Sequence, residues 1–280
     1  MSNRPLFLAA AISATVALSP ALALANDDES TRGDALFGFV TEDASGFVGA
    51  GVGIAPEYEG SEDYDVIPLV VGQANWRGFG LELRGLGAAI DVLPSRRFDA
   101  GPVINFRGGR DDDVDNDVVA RLREIDDAIE VGGFFRYNLS PDLLDGDRLS
   151  FEVDILQDVS DAHEGLVGGF GAAYSWRPTA KLGVILDVST SFASSDYMDT
   201  YFTVDTGNSA LSGLPVFEAD SGFKDIGIGT TLTYDFNDSW GALARIGYTE
   251  LLGDAADSPI VDDEGSSSQF LAAVGITYRF

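Results

Sequence analysis

The sequence predicts an all-β protein, an antiparallel transmembrane β-barrel of the kind found in bacterial outer membranes. Three observations support this prediction. Short ribbons of alternating apolar and small or polar residues recur along the chain, short and long connections alternate between them, and the N-terminal segment has the pattern of an export signal. Side chains of a strand alternate between its two faces. In an outer-membrane barrel the apolar face meets lipid and the other face lines the lumen.

The alternation is clearest in the last strand, which runs from Phe270 to Phe280. One face carries Phe270, Ala272, Val274, Ile276, Tyr278 and Phe280, and the other carries Leu271, Ala273, Gly275, Thr277 and Arg279. A terminal strand that ends in Tyr-x-Phe also resembles the signal by which outer-membrane barrels reach their assembly machinery. We therefore expect this strand to cross the membrane and to end in the periplasm.

The other strands are predicted from the same alternation, taken in chain order. The first four run over 46–55, 66–76, 79–84 and 88–92. The next seven run over 101–107, 131–137, 149–155, 166–176, 182–189, 226–236 and 240–248. The second ribbon is apolar on both faces, so the sequence leaves its orientation open.

The phase of the alternation breaks at Gly85, between a ribbon with apolar odd-numbered residues and one with apolar even-numbered residues. A slip of one residue moves every side chain to the other face. Gly85 is therefore either a turn between two short strands or a bulge. A barrel with both termini in the periplasm needs an even number of strands, so the turn is favoured and gives about 12 strands, with about 10 as the alternative.

The connections alternate between short turns and long acidic loops, and the longest loops cover roughly 108–128, 193–221 and 253–268. Outer-membrane barrels have short periplasmic turns and longer external loops, so the long loops are predicted to lie outside. The chain has 46 acidic and 17 basic side chains, a formal net charge of −29. This balance argues against nucleic acid as a partner.

The first 25 residues are predicted to be a cleaved signal peptide. Arg4 precedes an Ala-rich apolar stretch that ends in Ala23-Leu24-Ala25, a typical cleavage site. Residues 26–45 are then expected to form an N-terminal periplasmic segment and residues 46–280 the barrel. The chain contains no Cys, which excludes disulfides and thiolate metal sites.

Longer motifs lie mainly in the loops. They are Gly51-x-Gly53-x-x-Pro56-x-Tyr58-x-Gly60-Ser61-x-x-Tyr64, Gly108-Gly109-Arg110-Asp111, Asp196-Tyr197-Met198-x-Thr200-Tyr201-Phe202, Ser212-Gly213-Leu214-Pro215 and the run from Leu251 to Val261. Together they resemble the MipA/OmpV family of outer-membrane proteins from Gram-negative bacteria. The motif positions expected to mediate interactions are Pro56, Tyr58, Gly60, Ser61, Tyr197, Met198, Gly213, Leu214, Pro215, Gly253, Asp254 and Pro259.

The resemblance implies a closed barrel and the role proposed for the family. That role is a scaffold between a murein lytic transglycosylase and a murein synthase of the penicillin-binding protein class. Membrane lipids and lipopolysaccharide would surround the barrel. A narrow channel with a lumen of mixed charge is the alternative, and an outer-membrane lipid hydrolase is a minor one.

No catalytic site is predicted. The one histidine, His163, lies beside Asp161 and Glu164 in a loop and is interpreted as a solvated side chain. A hydrolase would need His163 next to a Ser at the rim of the lumen, and no Gly-x-Ser-x-Gly motif occurs. The charges opposite the apolar faces are expected to form ion-pair networks that partly fill the lumen. These residues are Arg107, Glu130, Arg136, Glu152, Asp154, Asp187, Asp235, Arg245 and Arg279.

No resident cofactor is predicted. The acidic loop places Asp113, Asp115, Asp117 and Glu124 at the spacing of calcium-loop ligands. Val118 stands where the sharp turn of such a loop requires Gly, which argues against an EF-hand. A loose association of Ca²⁺ or Mg²⁺ with the external acids is left open.

Overall fold

The structure is a computed structural model and describes residues 44–93 and 95–280. Within them, twelve antiparallel strands form one closed barrel, in which each strand pairs with its neighbours in the chain and the last pairs with the first. The prediction of a barrel of about twelve strands is confirmed. The predicted signal peptide and residues 26–43 lie outside the described residues, so their roles stay predictions.

The strands have the following bounds. They are β1 (Ala44–Pro56), β2 (Tyr64–Trp76), β3 (Phe79–Arg84), β4 (Gly87–Asp91), β5 (Phe98–Arg107), β6 (Ala128–Leu139), β7 (Arg148–Asp158), β8 (Leu166–Trp176), β9 (Leu182–Ala193), β10 (Gly222–Asp235), β11 (Trp240–Leu251) and β12 (Ser268–Arg279). The long loops contain a 3₁₀ turn (Val119–Arg121) and the helices α1 (Ser195–Phe202), α2 (Thr206–Ser212), α3 (Asp254–Asp257) and α4 (Pro259–Asp262). In the part of the chain that the structure describes, no helix is long and apolar enough to cross a bilayer.

Gly85 is a turn, as the argument from strand parity predicted. It has φ +64°, a conformation that glycine adopts readily because it has no Cβ. The hairpin that it closes is short, with 6 residues in β3 and 5 in β4, whereas the other strands have 10 to 14 residues. The wall of the barrel is therefore shorter at β3 and β4 than at the other strands.

The outward face of the barrel is apolar. In β12, Phe270, Val274 and Ile276 are about half exposed (53%, 58% and 49%), whereas Ala273 on the opposite face is buried. Exposed rows of this kind on most strands form a continuous apolar belt, which lipid covers in an outer-membrane barrel. Trp76 and Trp240 lie at the periplasmic ends of β2 and β11, where interfacial aromatic residues are expected.

The lumen is partly apolar. The sequence alone did not show which face of β2 lines it. Leu69 and Val71 face inward and pack against Leu243 of β11 and Ala273 of β12. Because both faces of β2 are apolar, alternation alone could not orient it, and only its pairing with β1 and β3 did. β10 begins at Gly222, earlier than predicted, and a bulge between Phe223 and Asp225 shifts its register against β9.

The barrel closes where β1 meets β12, over pairs from Phe47↔Arg279 to Ile54↔Ala272. At the middle of this seam Gly51 lies opposite Gly275. A Cβ at Gly51 would lie 2.0 Å from the carbonyl oxygen of Val274, which is too close for any real contact. The seam therefore depends on a bare backbone at this position.

We predict that Gly51→Ala weakens closure of the barrel. The added methyl group must push β1 away from β12, and overpacking of this kind costs about 1–3 kcal/mol. The measurement is the urea midpoint for loss of the compact band on unheated gels. Gly247→Ala is the matched control, because its new Cβ would find its nearest atom 3.8 Å away. Equal midpoints for the two variants would contradict the prediction.

Candidate functional site

The long external loops fold over the mouth of the barrel as a packed layer, which we call the cap (residues 108–127, 194–221 and 252–267). Two clusters of buried apolar side chains hold it together. The first contains Ile125, Val167, Ala193, Tyr197, Met198, Tyr201, Phe202, Ala219, Leu251, Ala255 and Val261, and the second contains Tyr58, Val119, Leu122, Val204, Leu214 and Ile260. The outer mouth is therefore covered by a hydrophobic core with an acidic surface.

The structure brings the predicted interaction positions together in and beside the cap. Most are buried, namely Pro56, Tyr58, Gly60, Ser61, Tyr197, Met198, Leu214 and Pro259. Asp254 is half-buried, and Gly213, Pro215 and Gly253 are exposed. The described contacts thus give most of these residues a packing role. A role in binding a partner stays a prediction.

Tyr197 of α1 lies at the centre of the mouth and is fully buried. Its hydroxyl donates to Glu59 Oε2 at 2.6 Å, and its ring centroid lies 5.0 Å from that of His163. The guanidinium of Arg107 and the ammonium of Lys224 lie 5.0 and 5.7 Å from the same ring. One side chain therefore connects the β1–β2 loop, β5, the β7–β8 loop and β10 across the mouth.

His163 is buried, so its interpretation as a solvated side chain is wrong. The loop after β7 folds inward because the carboxylate of Asp158 accepts the backbone N–H groups of His163 and Glu164, at 2.8 and 2.9 Å. The imidazole Nδ1 accepts from Gly165 N at 3.1 Å, and Nε2 lies 3.2 Å from Glu130 Oε1. Among the described residues no serine hydroxyl contacts the ring, so the arrangement that a serine hydrolase needs is not formed there.

Buried ion pairs surround Tyr197 at the level just below the cap. Arg107 Nε donates to Glu130 Oε1 at 2.8 Å, on the side of β5 and β6. On the opposite side, Lys224 pairs with Glu59 and with Asp225. Sequence analysis missed Glu59 and Lys224. The available signal is that Lys224, one of two lysines in the chain, lies two residues before Ile226, where the apolar strand face begins.

A second network crosses the lumen nearer its middle and joins β3, β6 and β7. Arg84 Nη1 lies 2.8 Å from Glu152 Oε1, and Arg136 Nη1 lies 2.9 Å from Glu82 Oε1. Arg136 also pairs with Glu152 and with Asp99. The two arginines and the two glutamates of this network are buried, so each of their charges is neutralised by a partner rather than by water.

Further ion pairs hold the remaining strands. Arg245 of β11 donates to Asp187 of β9 at 2.9 and 3.1 Å, and Asp235 near the periplasmic end pairs with Arg177 and Arg279. The expected ion-pair networks in the lumen are thus confirmed for these residues. Asp154 differs, because it is buried and neither carboxylate oxygen has a hydrogen-bond partner in the described part of the chain.

The described residues contain no group of three or more His, Cys, Asp or Glu side chains that could hold a metal ion. The segment with calcium-loop spacing instead forms the 3₁₀ turn Val119–Arg121. Its Asn116 side chain accepts the N–H groups of Val118 and Val119, at 2.9 and 3.0 Å. Loose association of a divalent cation with the acidic surface stays a prediction.

Comparison with known proteins identifies the family. The family model described as "MltA-interacting protein MipA" matches residues 48–280. The chain belongs to this family. The resemblance inferred from the loop motifs is therefore confirmed, and the chain is an outer-membrane β-barrel.

Two named relatives agree with this assignment. The MltA-interacting protein of Escherichia coli (strain K12) is 24% identical over 247 residues, which cover 83% of this chain and 89% of that protein. Outer membrane protein OmpV of Vibrio cholerae is 36% identical over 90 residues, 32% of this chain and 33% of that one. Among solved structures, the NanC porin is 8% identical with a TM-score of 0.43, over 84% of this chain and 100% of its own.

We predict that Arg136→Met destabilises the barrel by about 3–5 kcal/mol, because the buried carboxylates of Glu82 and Glu152 lose one of their two arginine partners. Arg123→Met is the matched control. Arg123 pairs with Asp205 on the surface of the cap, where their side chains are 66% and 41% exposed, and such pairs contribute about 0–1 kcal/mol. Urea unfolding followed by tryptophan fluorescence measures both. Similar losses in the two variants would show that the lumen network is no stronger than a surface pair.

The carboxyl of Glu57, in the β1–β2 loop, predicts a pH dependence of stability. Burial raises its pKa from 4.5 to about 7, although it accepts the N–H of Asp115, and nearby acids add to the rise. The folded protein thus favours the protonated form. Its contribution to stability is complete below about pH 4.5 and is lost as the pH rises towards 7.

We expect Glu57→Gln to reduce the fall in melting temperature between pH 5 and pH 8, by about 1 °C or more. Glu124→Gln, an exposed glutamate of the cap, controls for the loss of one negative charge. Melting curves of both variants and the parent protein at the two pH values provide the measurement. An unchanged fall in Glu57→Gln would refute the assignment.

Proposed function

We propose that this chain is a closed, non-enzymatic scaffold of the outer membrane that holds a murein lytic transglycosylase at the periplasmic face. The observation that carries the proposal is the occupied lumen. Ion pairs cross it at two levels, and Tyr197 and the cap cover its outer mouth. A barrel of this kind offers its surface to partners rather than a path to solutes.

The buried networks explain why the barrel would stay closed. Separating Arg84 or Arg136 from the carboxylates of Glu82 and Glu152 would leave charges buried without partners, at about 3–5 kcal/mol for each broken pair. At this energy, thermal fluctuations rarely break the pairs and open the lumen. We therefore favour the scaffold over the narrow channel, and we propose that the barrel needs no cofactor.

The periplasmic side supplies a surface for the partner. In the turn between β6 and β7, Leu143 and Leu144 are 76% and 46% exposed. The carboxylate of Asp147 fixes this turn by accepting the N–H groups of Leu143 and Leu144 at 3.0 Å, and the hydroxyl of Tyr174 at 2.7 Å. Two adjacent exposed leucines on a fixed turn give this end of the barrel an apolar surface that a partner protein would bury.

The identity of the partner is inferred from the family. The relative from Escherichia coli is named an MltA-interacting protein. We propose the same class of partner, a murein lytic transglycosylase, at the turn that presents Leu143 and Leu144. A penicillin-binding protein is proposed as a second partner, and membrane lipids and lipopolysaccharide as the surroundings of the apolar belt.

A binding experiment tests the scaffold. The purified barrel in detergent is titrated with purified transglycosylase, and we expect Leu143→Ser with Leu144→Ser to weaken binding about tenfold, equivalent to about 1.4 kcal/mol. Leu211→Ser is the matched control, because Leu211 is a leucine of the cap with 56% exposure on the opposite side of the membrane. Unchanged binding in the double variant, or equal loss in the control, would exclude this turn as the binding surface.

A conductance experiment tests the closed lumen. We expect no steady ion current when the purified barrel is inserted in planar bilayers, because the networks of Arg84, Arg136 and Arg107 occupy the lumen. Steady single-channel steps would contradict the scaffold and favour the narrow channel. Release of fatty acid from phospholipid, lost in His163→Ala, would instead favour the lipid hydrolase.

A further inference from the structure

The barrel wall has a gap in the half nearest the external loops. β1 and β2 pair from Ala44↔Trp76 to Pro56↔Tyr64, whereas β2 and β3 pair only from Trp76↔Phe79 to Val71↔Arg84. Residues 64–70 of β2 thus have no partner strand on the side away from β1, among the residues described. The other edge of the gap is β5, whose pairing with β4 begins at Ala88↔Ile104, so that residues 105–107 have no partner strand on that side among the residues described.

The backbone of β2 presents unpaired groups to this gap. The carbonyl of Val70 accepts the N–H of Gly85 at 3.0 Å, so the backbone polar groups of Val70 point away from β1. Backbone groups of alternate residues in an antiparallel pair point the same way. The backbone polar groups of Val66 and Pro68 therefore also point into the gap. Pro68 has no N–H, so this edge is poorly suited to binding another strand.

The gap is a window rather than an open slot, because it is closed above and below. The turn at Gly85 forms its lower edge. Above it, the β5–β6 loop reaches the β1–β2 and β11–β12 loops, where Asp115 N donates to Glu57 Oε2 at 3.0 Å and Asn116 Nδ2 donates to Glu264 at 3.1 Å. At the level of the Gly85 turn its sides, β2 and β5, are three strand spacings apart, or ~14 Å.

The outer surface around the window is apolar, and so is the inner surface of its β2 edge, whereas Asn105 and Arg107 on the inner side of β5 donate hydrogen bonds to Glu130. On the outside, Val66 of β2 is 71% exposed, and Ile104, at the lower margin of the window on β5, is 51% exposed. On the inside, Leu69 and Val71 belong to the apolar cluster with Leu243. The window thus connects the lipid-facing belt to an apolar patch in a lumen that also contains the buried ion-pair networks.

We propose that this window admits an acyl chain of a membrane lipid, which lies against the lumen-side apolar patch around Leu69. The position of the window fits lipid, since it opens into the outer half of the belt. Pro68 argues against a partner strand at the same edge. The inference goes beyond the scaffold role and does not depend on it, because the partner surface at Leu143 lies at the other end of the barrel.

The absence of Cys from the chain allows a direct test with single labelled cysteines. Leu69→Cys carries a bimane fluorophore in the complete barrel, reconstituted into phosphatidylcholine vesicles brominated at several chain positions. Ala173→Cys is the matched control, because Ala173 also faces the lumen and both side chains are 7% exposed. Ala173 lies behind a complete wall, in which β8 pairs with β7 and β9. Val70→Cys, on the lipid-facing side, is the positive control.

We expect the brominated chains to quench bimane at Leu69→Cys nearly as strongly as at Val70→Cys, and to leave Ala173→Cys unquenched. If the label were equally protected from quenching at Leu69→Cys and at Ala173→Cys, the proposal would be overturned. Equal quenching of those two would overturn it as well, because lipid would then reach the lumen without the window. If Leu69→Cys loses the compact band on unheated gels, Ile67→Cys on the same inward face of β2 replaces it, with the same expected results.

Discussion

The structure depends on the requirement that backbone polar groups inside a bilayer be hydrogen-bonded within the protein. A strand cannot satisfy this requirement alone, so the sheet closes on itself, and β1 pairs with β12. Closure in turn demands close backbone contact at the seam, where Gly51 faces Gly275. Because the β3–β4 hairpin is short, strand pairing is incomplete at one place, the window beside Pro68.

The lumen follows from the same closure. An exterior that must be apolar leaves the interior for the charged residues of the strands, and these charges are too confined to be hydrated freely. They pair instead, as Arg136 does with Glu82 and Glu152. Because each pair joins different strands, the networks hold the walls together. Their geometry matters more than their number, since breaking one pair leaves a buried charge without compensation.

The cap shows how the long loops divide their residues between two environments. Their acids remain on the surface, while their aromatic and aliphatic residues form a small core over the mouth. Tyr197 belongs to both the apolar core and the charged level below it. This position explains why a tyrosine suits the site: its ring packs with apolar and cationic neighbours, and its hydroxyl reaches Glu59.

The sequence by itself determined the barrel, a strand number of about twelve, the inward and outward faces of most strands and the side of the long loops, because alternation with period two is local and Gly85 marks a break in its phase. The tertiary structure alone decided which distant groups meet. The prediction of a solvated His163 is wrong because the burial of this side chain depends on contacts with Glu130 and Tyr197, which lie far away in the chain. The orientation of β2 and the window beside it likewise depend on strand pairing, which no single ribbon specifies.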